Sequence, residues 1–381
     1  MIFIESYQGV GGGQKILSKI ANLQSKLFPS IKSHLILTAP SKEIKDLYNN
    51  EIKIIDIEMT FLNVFGDFRA WLNFNRLIRV FPMFLYYQIK LLLKLIYIND
   101  QKVFLSDYRA LAISIIPCVL TRKKIYFYLI GGSPFNNKVN KFLSKFIFKT
   151  FSISDELAED IDIQDYELIR NGIDVSRFSN INSGLNSIIH NNNNNKFLFV
   201  GTLTQNKGLH RLVKALKSEE NSDWTLNVFG TFLKDDPYEN YLKNLIIDDN
   251  RIKLHGFVKN IHLEIKKHQT LIFPSVINDS IFIDNKEVFS TSSEGSPTII
   301  IEAVLSGLKV ISNDVTGVKD LAQVLPNILV FNWDNLIKKG IHPNLIKLND
   351  RIHHKIVAKH HKDLFDKTII DKNLLKNINN D

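Results

Sequence analysis

Glu294 and Glu302 bracket the run Glu294-Gly295-Ser296-Pro297-Thr298-Ile299-Ile300-Ile301-Glu302. Ser296 suits a helix N-cap and Pro297 the first helical position. Gly307 is placed to end that helix. Glu294 then stands just before the helix, at its mouth, and Glu302 falls in the second turn. Two carboxylates so separated can both reach one extended ligand, one meeting its sugar and the other its ribose. The plainer reading of Glu302 is a solvated charge on a helix surface. Its apolar neighbours weigh against that reading.

Two further clusters are rich in glycine. Tyr7-Gln8-Gly9-Val10-Gly11-Gly12-Gly13 runs from a predicted strand into a predicted helix. Glycines let backbone approach an anion, and a helix N-terminus offers free N–H groups. A tight turn with no ligand is one rival reading, and a nicotinamide-dinucleotide loop is another. The latter wants a third small residue where Gln14 stands and an acid after the second strand, where Thr38-Ala39-Pro40 stands. Gly201-Thr202-Leu203-Thr204-Gln205-Asn206-Lys207-Gly208 is the other cluster, again leaving a strand and entering a helix. Lys207 there can neutralise a diphosphate. Taken alone it reads better as a solvated surface lysine.

The elements that must position these residues alternate. Apolar runs at 2–4, 34–39, 52–57, 103–105, 125–130 and 151–153 predict strands, with helical patterns between several of them. Ile16, Ile20, Leu23 and Leu27 share one helical face. A second series of strands is predicted at 196–200, 226–229, 252–254, 270–273, 310–311 and 328–331, with a helix burying Leu209, Leu212, Val213 and Leu216. Alternation of this kind means βαβ units and parallel sheets. The expected organisation is an N-terminal Rossmann-like domain over 1–178, a polar linker over 179–195 ending in an asparagine run, a C-terminal Rossmann-like domain over 196–345, and a helical segment over 346–381 that packs back on the first domain. Ligands in such sheets bind beyond the carboxyl ends of the strands. With two halves facing each other, that place is the cleft between them.

The chain has 381 residues, beyond the roughly 250–300 at which one core stops growing, so two domains are expected. Apolar residues make up 45% and charged residues 23%, the balance of a folded soluble protein. A net charge of +9 favours an acidic partner such as a nucleotide, a nucleic acid or an anionic membrane. The single cysteine, Cys118, rules out an internal disulfide and fits a reducing compartment. The N-terminus lacks the basic start and apolar run of a signal peptide. Lys90 and Lys94 interrupt the apolar stretch 80–98, so no transmembrane helix is expected.

At this point the chain resembles glycosyltransferase family 4 over most of its length. Tyr166-Glu167-Leu168-Ile169-Arg170-Asn171-Gly172-Ile173-Asp174, followed by Phe178, is similar to one family segment. Phe199-Val200-Gly201-Thr202-Leu203 through Lys207-Gly208 is similar to the next. Leu254-His255-Gly256-Phe257-Val258, Phe273-Pro274-Ser275 and Gly307-Leu308-Lys309-Val310-Ile311 resemble further landmarks in the family's order. Glu294 through Glu302 resembles its EX7E signature.

The resemblance implies an α/β GT-B fold, two Rossmann-like domains facing each other across a cleft, and a retaining glycosyltransferase. Its donor would be a UDP- or GDP-linked sugar, taken as substrate with no cofactor and no catalytic metal. By matching position, Gly12 and Gly13 would approach the diphosphate from one domain and Lys207 would bind it from the other. Glu294 would contact the sugar, assisted by backbone near Gly295 and Ser296, and Glu302 would hold the ribose. The backbone from Gly256 to Val258 would border the base. Thr202 stands in the donor site where the family often has arginine. A histidine common after the fourth or fifth strand is replaced by Tyr128-Leu129-Ile130-Gly131-Gly132-Ser133, and 276–293 is long.

The acceptor implied is a glycan or a lipid-linked glycan, as in bacterial surface polysaccharide assembly (O-antigen, capsule or lipopolysaccharide), with no nucleic acid involved. Two other classes fit a GT-B shape: a nucleotide-sugar epimerase and a non-catalytic glycan-binding relative. A basic amphipathic helix is predicted over 138–149, with Val139, Phe142, Leu143, Phe146 and Ile147 on one face and Lys138, Lys141, Lys145 and Lys149 largely elsewhere. Residues 86–97, with Lys90 and Lys94, form a second candidate. Either could hold a cytoplasmic protein peripherally on the inner face of the plasma membrane, or simply face the core.

Overall fold

The protein is described here from a computed structural model that covers residues 1–7, 9–59, 74–133, 135–178, 195–219, 223–291, 294–352, 355 and 357–381. The expected linker lies outside these residues except for Asn195. Two compact units are present: Met1–Arg170 with Asp371–Asp381, and Asn171–Ile370.

Among the described residues the first unit is built on seven parallel strands: β1 (Ile2–Glu5), β2 (His34–Leu37), β3 (Lys53–Asp56), β4 (Lys102–Leu105), β5 (Lys124–Leu129), β6 (Lys149–Ser152) and β7 (Glu167–Leu168). They lie in the order β3-β2-β1-β4-β5-β6-β7. Central strands buried on both faces read as unbroken apolar runs, and β1 is buried at every position. Asp371–Asp381 joins this unit, with Lys19 paired to Asp371 at 3.0 Å and Lys102 Nζ donating to the Ile378 carbonyl at 2.6 Å.

The helix Gly12–Leu27 buries Leu17, Ile20, Ala21 and Gln24. The expected face through Ile16, Leu23 and Leu27 is therefore rotated by about one residue, leaving Leu27 exposed. The helix predicted over 138–149 is shorter, Asn137–Ser144, capped by Asn136 accepting from the Val139 N–H. Lys149 instead opens β6. The short helix buries Asn140 and Leu143, while Val139 and Phe142 are exposed.

The second unit repeats the plan, among the described residues, with six parallel strands: β8 (Asn195–Val200), β9 (Trp224–Phe229), β10 (Ile252–Leu254), β11 (Thr270–Phe273), β14 (Lys309–Asn313) and β15 (Ile328–Phe331). Their order is β10-β9-β8-β11-β14-β15. The helix Leu209–Lys217 buries Leu209, Leu212, Val213 and Leu216 completely, as their spacing requires. Between β11 and β14 the chain inserts an antiparallel hairpin, β12 (Asn278–Ile283) and β13 (Lys286–Thr291). Its turn, Asp284-Asn285, has φ of 48° and 61°, the conformation of a type I′ turn. This hairpin accounts for the length of 276–293. Buried Asp279 anchors it to the Leu209–Lys217 helix through His210 at 3.2 Å and the Arg211 guanidinium.

Among the described residues no helix is long and apolar enough to cross a membrane. Cys118 is buried and free.

Candidate functional site

The order of the second sheet reverses between β8 and β11, and a crevice at such a switch point is where ligands bind in open α/β sheets. The loops that leave the strands there are held together by backbone. Gly208 has φ of 70°, and a Cβ on it would stand 2.1 Å from the Pro274 carbonyl oxygen. The Val276 N–H donates to the Asn206 carbonyl at 2.9 Å. The loop after β8 is thus fixed to the loop after β11. Gly230, after β9, likewise leaves no room for a side chain beside the Gly201 carbonyl, and its N–H donates to the Gly256 carbonyl at 2.9 Å. Gly256 takes φ of 71°, Val258 packs against the core, and Thr202 is exposed on the loop after β8.

This packing brings Lys207 and Glu294 together, although they lie far apart in the sequence. Lys207 closes a short 3-10 turn, Gln205–Lys207, ahead of the Leu209–Lys217 helix. Its Nζ donates to Glu294 Oε1, and both side chains retain some exposure.

The helix carrying Glu302 runs Thr298–Leu305. Pro297 has an extended ψ of 107° and occupies the N-cap, so Ser296 is not the cap expected from its type. Its carbonyl instead accepts from Asn171 Nδ2 at 3.1 Å, and its buried Oγ has no hydrogen-bond partner among the described residues. Gly295 is buried with its carbonyl oxygen against Gly317. The helix ends as expected, with Gly307 at φ 88°, its N–H donating to the Val304 carbonyl and the Leu308 N–H reaching back to Ala303.

Burial raises the Glu302 carboxyl above its ordinary range, and the positive charge of Arg177 opposes that rise. A carboxylate in this setting gains from hydroxyl donors that replace lost water. The Asn171-Gly172-Ile173-Asp174 segment, read from the sequence only as a landmark, has a structural task here. It supports the Ser296 carbonyl, and Ile173 exchanges backbone hydrogen bonds with Phe365 and Lys367. Asp174 pairs with Lys367 at 2.9 Å.

Gly12 and Gly13 belong to the first unit, in the opening turn of Gly12–Leu27. Gly13 lines a pocket of about 250 Å³ with Ser106, Asp107, Arg109, Ile130 and Gly131, at the switch point between β1 and β4. Two carboxyl groups at this end of the sheet, Asp107 in the pocket lining and Glu5 at the end of β1, were not selected from the sequence. Glu5 Oε1 accepts from the Ser6 and Tyr7 N–H groups at 2.8 and 2.9 Å, and Ser6 Oγ donates to Asp107 Oδ1 at 2.7 Å. The signal available was a lone acid at the end of an apolar strand.

Burial, reinforced by the Asp107 charge, raises Glu5 from 4.5 to about 7. The folded chain therefore keeps a proton on Glu5 that the unfolded chain has released. The resulting stabilisation is complete below pH 4.5 and is lost as pH rises to about 7. Glu5→Gln keeps an acceptor for the two N–H groups and removes the titration. Urea unfolding at several pH values should find the variant close to the parent near pH 4 and more stable at pH 8. A gap that stays constant over that range would refute the assignment.

Among the described residues no cluster of three or more His, Cys, Asp or Glu side chains is placed to hold a metal ion.

The family model for group 1 glycosyl transferases matches residues 185–331. Comparison with curated proteins returns no match. Among solved structures, Anabaena HepE in complex with UDP and glucose is similar, with 17% identity and a TM-score of 0.68 over 100% of this chain and 99% of that one. The lipopolysaccharide outer core galactosyltransferase WaaB is 16% identical, with a TM-score of 0.66 over 99% and 98%. WaaG, a glycosyltransferase involved in lipopolysaccharide biosynthesis, is 13% identical, with a TM-score of 0.55 over 99% and 99%. The chain is a transferase enzyme of GT-B fold, and residues 185–331 are the part of it that matches the group 1 glycosyl transferase model.

Proposed function

We propose that the protein is a retaining glycosyltransferase of family 4 that moves a sugar from a nucleotide diphosphate donor to a glycan or lipid-linked acceptor in surface polysaccharide assembly. The observation that carries this reading is the Lys207–Glu294 pair at the switch point of a group 1 domain. The similar solved structures support a uridine diphosphate donor and a polysaccharide or lipopolysaccharide setting.

In this reading Lys207 faces the diphosphate, whose charge grows as the bond to the sugar breaks. Glu294 then exchanges its lysine partner for the hydroxyls of the donor sugar. Gly295 and Ser296 bring backbone to the same sugar, Gly256 and Val258 border the base, Thr202 lines the diphosphate, and Glu302 accepts from the ribose. Gly12 and Gly13, in the first unit, offer backbone N–H groups suited to an anion. Lysine and helix N-termini carry the leaving-group charge without a metal.

A panel of nucleotide sugars, followed by thermal stabilisation and by slow donor hydrolysis in excess chelator, tests the proposal. One donor should stabilise the protein and release its nucleotide with chelator present. No stabilisation by any nucleotide diphosphate sugar, or turnover that returns only with a divalent ion, would overturn it.

Glu302→Ala should weaken nucleotide binding by about 1.5–3 kcal/mol, the worth of hydrogen bonds to a charged group, or roughly ten- to hundredfold in Kd. The parent should prefer a ribonucleoside diphosphate over its 2′,3′-dideoxy form, and the variant should lose that preference. Calorimetric titration that finds the preference intact in the variant rejects the ribose assignment.

A further inference from the structure

The helix Phe74–Tyr97 exposes an apolar face that the fold does not cover with any described residue. Its inner side is fixed: Tyr87, Gln88, Leu91 and Leu95 are buried, and Gln88 Nε2 donates to the Ile113 carbonyl of the neighbouring helix Tyr108–Leu120 at 3.0 Å. On the outer side Leu85, Ile89, Leu93 and Ile96 are 50%, 50%, 59% and 64% exposed. At 3.6 residues per turn these four fall within an arc of about 80°. Tyr86 and Tyr97, also exposed, come next around the helix, followed by Lys90 and Lys94. The Lys90 ammonium lies 4.8 Å from the Tyr86 ring centre, and Lys53 lies 5.9 Å from that of Tyr97. The packed neighbour adds exposed Ile116, Val119 and Leu120. Single exposed apolar side chains are ordinary, but a contiguous stripe marks a surface that meets something apolar.

We propose that this face docks on an anionic lipid bilayer, with the helix lying in the plane of the interface. The order around the helix is aliphatic, then tyrosine, then lysine. It follows the change from acyl chain to headgroup to phosphate across half a bilayer. Charge decides among occupants. The helix sequence contains Arg76, Arg79, Lys90 and Lys94 and no acidic residue, and the Tyr108–Leu120 helix has none either. A second copy packed about a twofold axis would set like charge against like. An anionic leaflet complements it. The docking face is thus the long helix, in place of the shorter Asn137–Ser144 helix, which exposes only Val139 and Phe142 of its apolar side chains.

The test uses the full chain with vesicles of phosphatidylglycerol and phosphatidylcholine, or of phosphatidylcholine alone, at low and high salt. Co-sedimentation should be strongest with the anionic vesicles at low salt and reduced, without being abolished, at high salt. Leu93→Glu with Ile96→Glu should lower partitioning by about tenfold or more while leaving circular dichroism and donor binding unchanged. Lys141→Glu with Lys145→Glu should change it less. In a separate variant, Ile96→Trp, the added fluorescence should shift to the blue on binding and be quenched by lipids brominated on the acyl chain. Each of three results overturns the proposal. One is unchanged binding by the Leu93/Ile96 double variant. Another is self-association without lipid that this double variant abolishes. The last is fluorescence from the Ile96→Trp variant that is already blue-shifted without vesicles and unaffected by brominated lipid, which would mean that another part of the chain covers the stripe.

Discussion

Replacing Lys207 with alanine is expected to lower kcat by about 100- to 1,000-fold, the usual effect of deleting one charge-stabilising donor, with a smaller change in KM. The expectation follows from where the lysine is held. The αL conformation of Gly208 and its fit against Pro274 fix the end of the 3-10 turn, so the ammonium is positioned before any donor arrives. A preorganised cation gains most where charge develops during the reaction, and so acts on the transition state more than on the ground state. Lys207→Arg keeps the charge but changes its shape, and should recover part of the loss. Glu294→Ala should also slow transfer, since it removes the group proposed to hold the sugar. The measurement is steady-state kinetics with the donor identified from the panel. A kcat for Lys207→Ala within about twofold of the parent would show that another cation serves the leaving group. Thr202→Arg is a useful companion, because Thr202 is exposed on the loop after β8.

The parallel strands were legible because strands buried on both faces read as continuous apolar runs, and each run proposed from the sequence overlaps an observed strand. The inserted hairpin was missed, although its signals were present. Asp279, Ile281 and Ile283 alternate with exposed neighbours, and Asp284-Asn285 is a turn pair able to take positive φ. The two-residue β7 is too short to have a period. Ser296 has the composition of an N-cap, but only backbone angles reveal that Pro297 takes that place. Of the candidate site, the residue types were readable and the partners were not. No spacing rule connects Lys207 to Glu294, because their contact depends on the loops after β8 and β11 meeting at Gly208 and Pro274. The Glu5–Ser6–Asp107 chain likewise joins the ends of β1 and β4, adjacent in the sheet and remote in sequence.

Gly317→Ala should lower both stability and transfer through the same displacement. Gly317 caps the helix Val318–Val324 at φ 81°, and a Cβ there would stand 1.9 Å from the Gly295 carbonyl oxygen and 3.2 Å from the Ser296 nitrogen. The left-handed conformation alone costs a non-glycine residue about 1–2 kcal/mol. The clash is with backbone, so it cannot be relieved by turning a side chain; the segment Gly295-Ser296 must move, and Glu294 with it. Gly340 supplies the control, since it has a similar φ of 69° with nothing within 4 Å of its ideal Cβ. Gly340→Ala carries the conformational cost alone. The difference between the two variants therefore isolates the close approach, and should reach about 2 kcal/mol or more, a further fall in Tm of roughly 4–8 °C for a unit of this size. Fluorescence-monitored unfolding gives the stabilities. Kinetics below the transition should show kcat reduced for Gly317→Ala and unchanged for Gly340→Ala. Equal stabilities would mean that the Gly295 loop yields freely. Native kinetics in Gly317→Ala would mean that the position of Glu294 does not depend on the packing of that loop against Gly317.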